Sequence, residues 1–326
     1  MSELKAPLTE SDVDTAYRIF LGRPPEKAQT VANHLAKYKT KDEFRRAVVT
    51  AKEFYDRNIV EISRYVIATA PISSVKNIDV NVSGEDRAAL FKHVHDVWSK
   101  LGATDPHFSV LSTPKYKPDN IAANQQEFYD SGRGELEVVF RRLESLGLAP
   151  ASDGVALELG AGVGRVTRHL GDRFANVVGY DVSANHLALA SSYVSEQAIA
   201  NVEFRHLTSI DSASFPDHDF FYSRIVLQHN PPPIIAFLLD RVLARMNPNG
   251  VAVFQLMTAR SGYTFDVKKY LSSMDQLDDQ ELHVLPQADV FRILRNRGLT
   301  CVEAARDSML RGFDRTSMTF IAQKMG

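Results

Sequence analysis

The chain has a single cysteine, Cys301, so an internal disulfide is excluded and a cysteine-based metal site is not expected. It lacks any stretch approaching the ~20 consecutive apolar residues of a membrane helix, so membrane insertion is not expected. Met1 to Ala6 leads into polar residues rather than an apolar run, which predicts no secretory signal and a cytoplasmic location. Charge of one sign is also missing. Lys and Arg number 38 against 40 Asp and Glu, a formal charge of -2. Without a basic excess or stripe, nucleic acid is not an expected partner. Internal repeats and low-complexity segments are absent too. What is present is ordinary for a globular chain, and 326 residues suffice for two domains at roughly 150 residues each.

The front of the chain has helical periodicity and the back alternates. Val13, Ala16, Tyr17, Phe20 and Leu21 fall on one helical face after Thr9, a candidate N-cap, and Gly22 with Pro24 and Pro25 stops that helix. A second helix is predicted over 27–38 with Val31 and Leu35 inward, and a third from about Lys41 with Phe44 and Val48 inward. These elements define an N-terminal helical domain over 1–70. The words Ala16-Tyr-Arg-Ile-Phe-Leu-Gly-Arg-Pro-Pro25 resemble a small helical domain of bacterial proteins, often near polysaccharide enzymes. The resemblance implies a docking unit with a partner of its own.

Residues 71–150 read as a linker and a helical cap or lid. The linker runs from Ile72 to Val82, and from Gly84 onward Leu90, Phe91, Val94 and Trp98 share a face. Asp105-Pro106-His107 signals a turn, and the stretch to Asn120 is expected to be loop. Two further helices are predicted, over 120–129 and 134–146. From 151 to 326 short apolar runs alternate with helical patterns. Strands are predicted at 155–159, 177–181, 202–205, 220–223 and 251–257. Such alternation implies an α/β fold with a doubly wound, mostly parallel sheet. The runs at 301–304 and 317–323, joined only by a loop, predict an antiparallel hairpin at its edge.

A glycine loop narrows the ligand. Glu158-Leu-Gly160-Ala-Gly162-Val-Gly164-Arg165 stands where the first strand meets the first helix. The dinucleotide fingerprint would place its third glycine where Arg165 stands. An acid two residues before Gly160 is also a poor neighbour for a pyrophosphate and suits an ammonium group. A second acid, Asp181, ends the second strand, where a carboxylate can accept both hydroxyls of a ribose. Together these features resemble the class I S-adenosylmethionine-dependent methyltransferases, from about Asp153 to the C-terminus. The resemblance implies a seven-stranded Rossmann-like sheet and S-adenosyl-L-methionine as cofactor. It implies that Gly160, Ala161 and Gly162 pack against the aminoacyl part, with Glu158 acting in the same region. Asp181 would hold the ribose and Val182 would pack on adenine. Where the family often has an acid for the adenine amino group, this chain has Leu207-Thr208-Ser209, so Thr208 or Ser209 would substitute. Related methyltransferases close a tyrosine-containing segment over the methionine end, which points to Tyr129, with Arg133 meeting its carboxylate. The competing reading packs Phe128 and Tyr129 between the front and the core.

Methyl transfer mainly requires alignment of the acceptor and removal of its proton. His229, after the fourth strand, lies at the ligand-binding edge and is one candidate base; its alternative is a cap or packing role. His283, in a long insertion over 258–285, is the other candidate; its alternative is a surface position beside a helix start. Glu281-Leu-His283-Val-Leu-Pro286 resembles a Met-His-Leu-Pro-like word of bacterial methyltransferases. Asp278, Asp279, Glu281 and His283 could group around a divalent metal, but crowded acids on a loop are usually only solvated, and no metal is expected. Asp105-Pro-His-Phe-Ser-Val-Leu111 resembles a word in methyltransferases of bacterial surface glycans, which would turn His107 toward the acceptor. The expected activity is therefore O-methylation of a sugar hydroxyl in a bacterial polysaccharide or its precursor. A small natural-product acceptor and a non-catalytic cofactor-binding scaffold in a glycan-assembly complex are the alternatives.

Overall fold

The computed structural model describes residues 5–49, 51, 53, 77–211, 213–274, 280–308, 310 and 314–326. The chain divides into two compact units, Met1–Pro71 and Ile72–Gly326. The end of the front block, the start of the linker at Ile72, and Asp278 and Asp279 lie outside the described residues.

In the first unit, α1 (Glu10–Leu21), α2 (Ala28–Lys37) and α3 (Lys41–Val49) follow the apolar periodicity. Thr9 and Asp12 form a reciprocal capping box at the start of α1, satisfying N–H groups the first turn leaves unpaired. Gly22 ends it in the left-handed region, φ 63°. Val13, Tyr17, Leu21, Phe44 and Val48 form its core, with Val31 and Leu35 against them.

The second unit begins with α4 (Gly84–Thr104), α5 (Pro106–Val110) and α6 (Ile121–Ser145). Then come β1 (Val155–Leu159), α7 (Thr167–Leu170), β2 (Asn176–Asp181), α8 (Ala184–Glu196), β3 (Val202–His206) and β4 (His218–Ser223). The chain continues through α9 (Pro232–Leu243), β5 (Met246–Arg260), α10 (Val267–Leu271), α11 (Gln287–Asn296), β6 (Leu299–Arg306) and β7 (Arg315–Lys324). The strands form one seven-stranded sheet in the order β3-β2-β1-β4-β5-β7-β6. β1 to β5 pair in parallel, whereas β7 runs antiparallel to both β5 and β6. Both faces of the sheet are covered, which explains why its central strands read as continuous apolar runs. Leu157 and Leu159 enter one core with Leu90, Phe91 and residues of α9 and α11. Ala156, Phe220 and Tyr222 enter the other with Leu136 and Leu143 of α6.

Three local expectations are corrected. The two helices predicted over 120–146 are one, α6, which passes straight through Ser131-Gly132-Arg133-Gly134. Gly132 is a point of close approach rather than a break: a Cβ there would stand 2.1 Å from the Arg165 carbonyl oxygen. Pro106 opens the short helix α5 where loop was expected, since proline is tolerated in a first turn. Finally, the helical pattern after the glycine loop yields only the single turn α7.

Gly132→Ala is expected to lower stability by about 1–3 kcal/mol through overpacking. Gly134→Ala, two residues away with nothing within 4 Å of its added Cβ, is expected to raise it by up to ~1 kcal/mol. Thermal melts of the two variants check the opposite signs.

Candidate functional site

The strand order turns outward in both directions at β1, flanked by β2 and β4. Beyond the carboxyl ends of these strands lies a cleft lined by the glycine loop, Asp181, Val182 and Trp98. This is where open α/β sheets bind ligands. The glycine loop forms its base. Gly160 has φ 82°, and a Cβ on it would meet Val226 Cγ2 at 2.1 Å. Gly162 has φ 53°, and its Cβ would meet Val110 Cγ2 at 2.8 Å. Glycine is therefore required at both positions for conformation and for room.

Four of the loop's own N–H groups are already used. Those of Gly160 and Ala161 donate to the Tyr180 carbonyl at 2.7 and 2.9 Å, and that of Gly164 to Ala161. Gly162 N–H donates to Asp181 Oδ2 at 2.8 Å, and Ser183 N–H to Asp181 Oδ1 at 2.9 Å. A pyrophosphate would find these donors occupied and two carboxylates nearby. Burial alone would raise the Asp181 carboxyl, but His186 and the two backbone donors outweigh it and hold it below its ordinary value. Glu158 behaves oppositely. It is 5% exposed, accepts the Thr167 hydroxyl at 2.6 Å, and is pushed up to about 8 by burial.

A second charged group closes this end of the cleft. Glu135 from α6 lies 2.7 Å from Arg165 and 3.0 Å from Arg224, and it accepts the Tyr222 hydroxyl at 2.6 Å. Despite its burial, the two guanidiniums keep Glu135 below its ordinary value. All four side chains line the cleft. Sequence reasoning missed Glu135 and Arg224, which come from separate elements. It met Arg165 only as the residue replacing a third glycine.

Glu158, Gly160, Ala161, Gly162, Asp181 and Val182 line the cleft. The other residues named for a cofactor do not. Tyr129 is buried against Tyr193, ring centroids 3.4 Å apart, and its hydroxyl donates to the Val163 carbonyl behind the loop. That is the packing position of the competing reading. Arg133 is exposed, because Ser131 and Glu135 face Arg165 and a residue two positions from each points away around the helix. Leu207 N–H continues the β3 edge by donating to Asp181 O at 2.9 Å, and Leu207 lines the cleft. Its neighbour Thr208 turns outward to solvent, and Ser209 is half-buried outside the lining.

The histidines stand elsewhere. His107 packs edge-on against Phe128, 5.1 Å between ring centroids, and burial lowers its pKa. His229 Nδ1 donates to the Glu281 carbonyl at 2.9 Å, and burial pushes the imidazole down to about 4. His283 is 4% exposed, with Nδ1 2.8 Å from the Tyr263 hydroxyl and Nε2 3.6 Å from Glu281 Oε2. Neither His229 nor His283 lines the cleft; both gather around Glu281, and His229 packs edge-on against Trp98. Among the described residues, no group of three or more His, Cys, Asp or Glu is arranged to hold a metal ion. No described helix is long and apolar enough to cross a membrane.

Residues 129–304 match the model of a family described as a methyltransferase domain. No curated protein matches the sequence. Among solved structures, the chain is similar to magnesium protoporphyrin IX methyltransferase of Synechocystis with bound SAH. The two are 17% identical, with a TM-score of 0.50, and the match covers 73% of this chain and 99% of that one. It is also similar to the N-methyltransferase NodS of Bradyrhizobium japonicum in complex with S-adenosyl-L-homocysteine. There the identity is 15% and the TM-score 0.47, over 71% of this chain and 98% of that one. At these identities the likeness is one of fold.

Because the folded-state value of Glu158 lies above the ordinary 4.5, its stabilising contribution is complete below that pH and is lost as pH climbs through about 8. Glu158→Gln is therefore expected to flatten the decline in stability across that window, by a few kcal/mol at most. Denaturant midpoints of both proteins at matched pH values check it.

Proposed function

The chain belongs to the methyltransferase-domain family, and we propose that it is an S-adenosylmethionine-dependent O-methyltransferase whose acceptor is a ring hydroxyl, a sugar of a bacterial glycan or its precursor. The observation that carries the cofactor reading is the pairing of Asp181 with Glu158 across a glycine loop whose glycine N–H groups are already used. That arrangement takes up the N–H groups of Gly160, Ala161, Gly162 and Gly164 and has acids suited to hydroxyls and to an ammonium.

The residues fit the parts of such a cofactor. Each Asp181 oxygen accepts one backbone N–H and keeps acceptor capacity for a ribose hydroxyl. Val182 and Leu207 supply apolar surface on the same side for a base. Glu158 sits in the cleft as a buried acid pushed up to about 8, whose charged form a nearby ammonium would favour. Arg165 and Arg224, held by Glu135, offer guanidiniums for a carboxylate. When bound, S-adenosylmethionine supplies a methyl group on a sulfonium. The chain's part is to hold both partners in line, exclude water and take the acceptor's proton. Val94 and Trp98 of α4, with Val110 and Leu111 at the end of α5, cover the cleft and limit water access.

The sugar assignment rests on the resemblance of the front helices and of the Asp105 word to proteins of bacterial glycan assembly. The front unit is read as a docking module on the same ground.

Asp181→Ala is expected to weaken S-adenosylmethionine binding by about tenfold to a hundredfold, the worth of one or two charge-assisted hydrogen bonds. Calorimetric titration checks it, and unchanged affinity removes Asp181 from the site.

A further inference from the structure

The turn that leaves β4 is held in a conformation its residue type does not choose. Ile225 has φ 56°, a left-handed backbone that a β-branched residue adopts only where its surroundings impose it. Asn77, Ala198 and Asn249 share this region of φ, but of these four described residues Ile225 alone lines the cleft. It is half-buried and joins none of the apolar clusters of the described residues. Core packing therefore does not account for it. A buried polar chain does. Ile225 N–H donates to Gln255 Oε1 at 2.8 Å, and Gln255 Nε2 donates to Ser317 Oγ at 2.6 Å. Gln255 on β5 and Ser317 on β7 are each 1% exposed, and Gln255 is the one polar residue of the run from Val251 to Met257. A buried amide is costly unless both its ends are paired, and here both are. The neighbours of Ile225 show what the turn carries. Arg224 lies 3.0 Å from Glu135 at the guanidinium end of the cleft, and Val226 fills the space that a Cβ on Gly160 would take.

We propose that Gln255 is a positioning residue for the amino-acid arm of the methyl donor: it holds Ile225 left-handed, and that turn sets Arg224 and Ile225 at the arm's end of the cleft. The proposal rests on the reading of the cleft as the S-adenosylmethionine site. Gln255 does not itself line the cleft and acts through the Ile225 amide. Without its Oε1 the Ile225 N–H loses its partner, and the backbone is free to relax toward the regions a β-branched residue prefers. Relaxation there turns Ile225 out of the lining and draws the Arg224 guanidinium away from a bound carboxylate. The nucleoside end is spared. Asp181 is fixed by Gly162 and Ser183, and Leu207 by the Asp181 carbonyl, none of them through the β4 turn. Two other buried side chains brace the turn without touching the Ile225 amide. Ser223 Oγ donates to the Leu159 carbonyl at 3.0 Å and Asn230 Nδ2 to the Val226 carbonyl at 2.9 Å, so loss of Gln255 shifts the turn and leaves the fold intact.

The test compares two ligands by calorimetry. S-adenosylhomocysteine carries the amino-acid arm, and 5′-methylthioadenosine has the same nucleoside and sulfur without it. Gln255→Met keeps the length of the side chain and removes the amide. It is expected to weaken S-adenosylhomocysteine about tenfold or more and to change methylthioadenosine by less than about twofold. Equal loss of both ligands is the mark of a merely structural role and overturns the proposal, as does unchanged affinity for S-adenosylhomocysteine. If Gln255→Met fails to fold, Ser317→Ala loosens Gln255 from β7 and is judged by the same two outcomes. Hydrogen exchange at the Ile225 amide of the ligand-free protein reads the Gln255 contact directly. It is expected to quicken about tenfold or more in the variant, and an unchanged rate overturns the hold on Ile225. Wild-type protein that binds neither ligand overturns the donor site itself, while the exchange rate still judges the contact. Wild-type protein that binds S-adenosylhomocysteine but not methylthioadenosine overturns the independence of the nucleoside end on which the proposal depends.

Discussion

Asp181 is the joint on which the cleft depends. Its two oxygens accept Gly162 N–H from the loop after β1 and Ser183 N–H at the start of α8. One carboxylate thereby fixes the glycine loop against the end of the neighbouring strand. The loop tolerates this only because Gly160 and Gly162 adopt left-handed conformations and leave room for Val226 and Val110. Val110 comes from α5, so the cover of the cleft is seated on the same glycine. The Asp181 carboxylate stays ionised despite its burial because those N–H groups and His186 favour the charged form. A structural hydrogen bond and a ligand-binding acceptor are thus the same group.

The charges around that joint are ordered by burial and by partner. Glu158 is deprived of water and kept largely neutral, whereas Glu135 is equally enclosed but kept charged by Arg165 and Arg224. Two carboxyls of the same cleft are set in opposite states by their surroundings, which is how a site distinguishes an ammonium from a carboxylate. Beyond Trp98, Glu281 is likewise kept charged by hydrogen bonds, while His229 is kept neutral by burial.

Much of this was legible in the sequence because it was local. The strands of the parallel sheet are apolar runs covered on both faces, and the glycine spacing with Glu158 and Asp181 lies within twenty-four residues of chain. What the sequence hid was long-range. Gly132 and Gly134 look alike as helix breakers, yet one is pressed on the Arg165 carbonyl and the other faces open space. Arg133 and Arg165 were indistinguishable as cations until the turn of α6 pointed one to solvent and the other to Glu135. His229 stands after the fourth strand as expected, but Trp98, from a helix far earlier in the chain, packs against it and lines the cleft in its place. Sequence spacing predicts which edge a residue reaches and not which side of a distant side chain it occupies.

The central claim is that the glycine loop serves an aminoacyl nucleoside and not a dinucleotide. Parallel calorimetric titrations of the purified protein with S-adenosylmethionine and with NAD test it most directly. The account predicts a saturating one-to-one isotherm with S-adenosylmethionine and none with NAD. Binding of NAD without S-adenosylmethionine would contradict it.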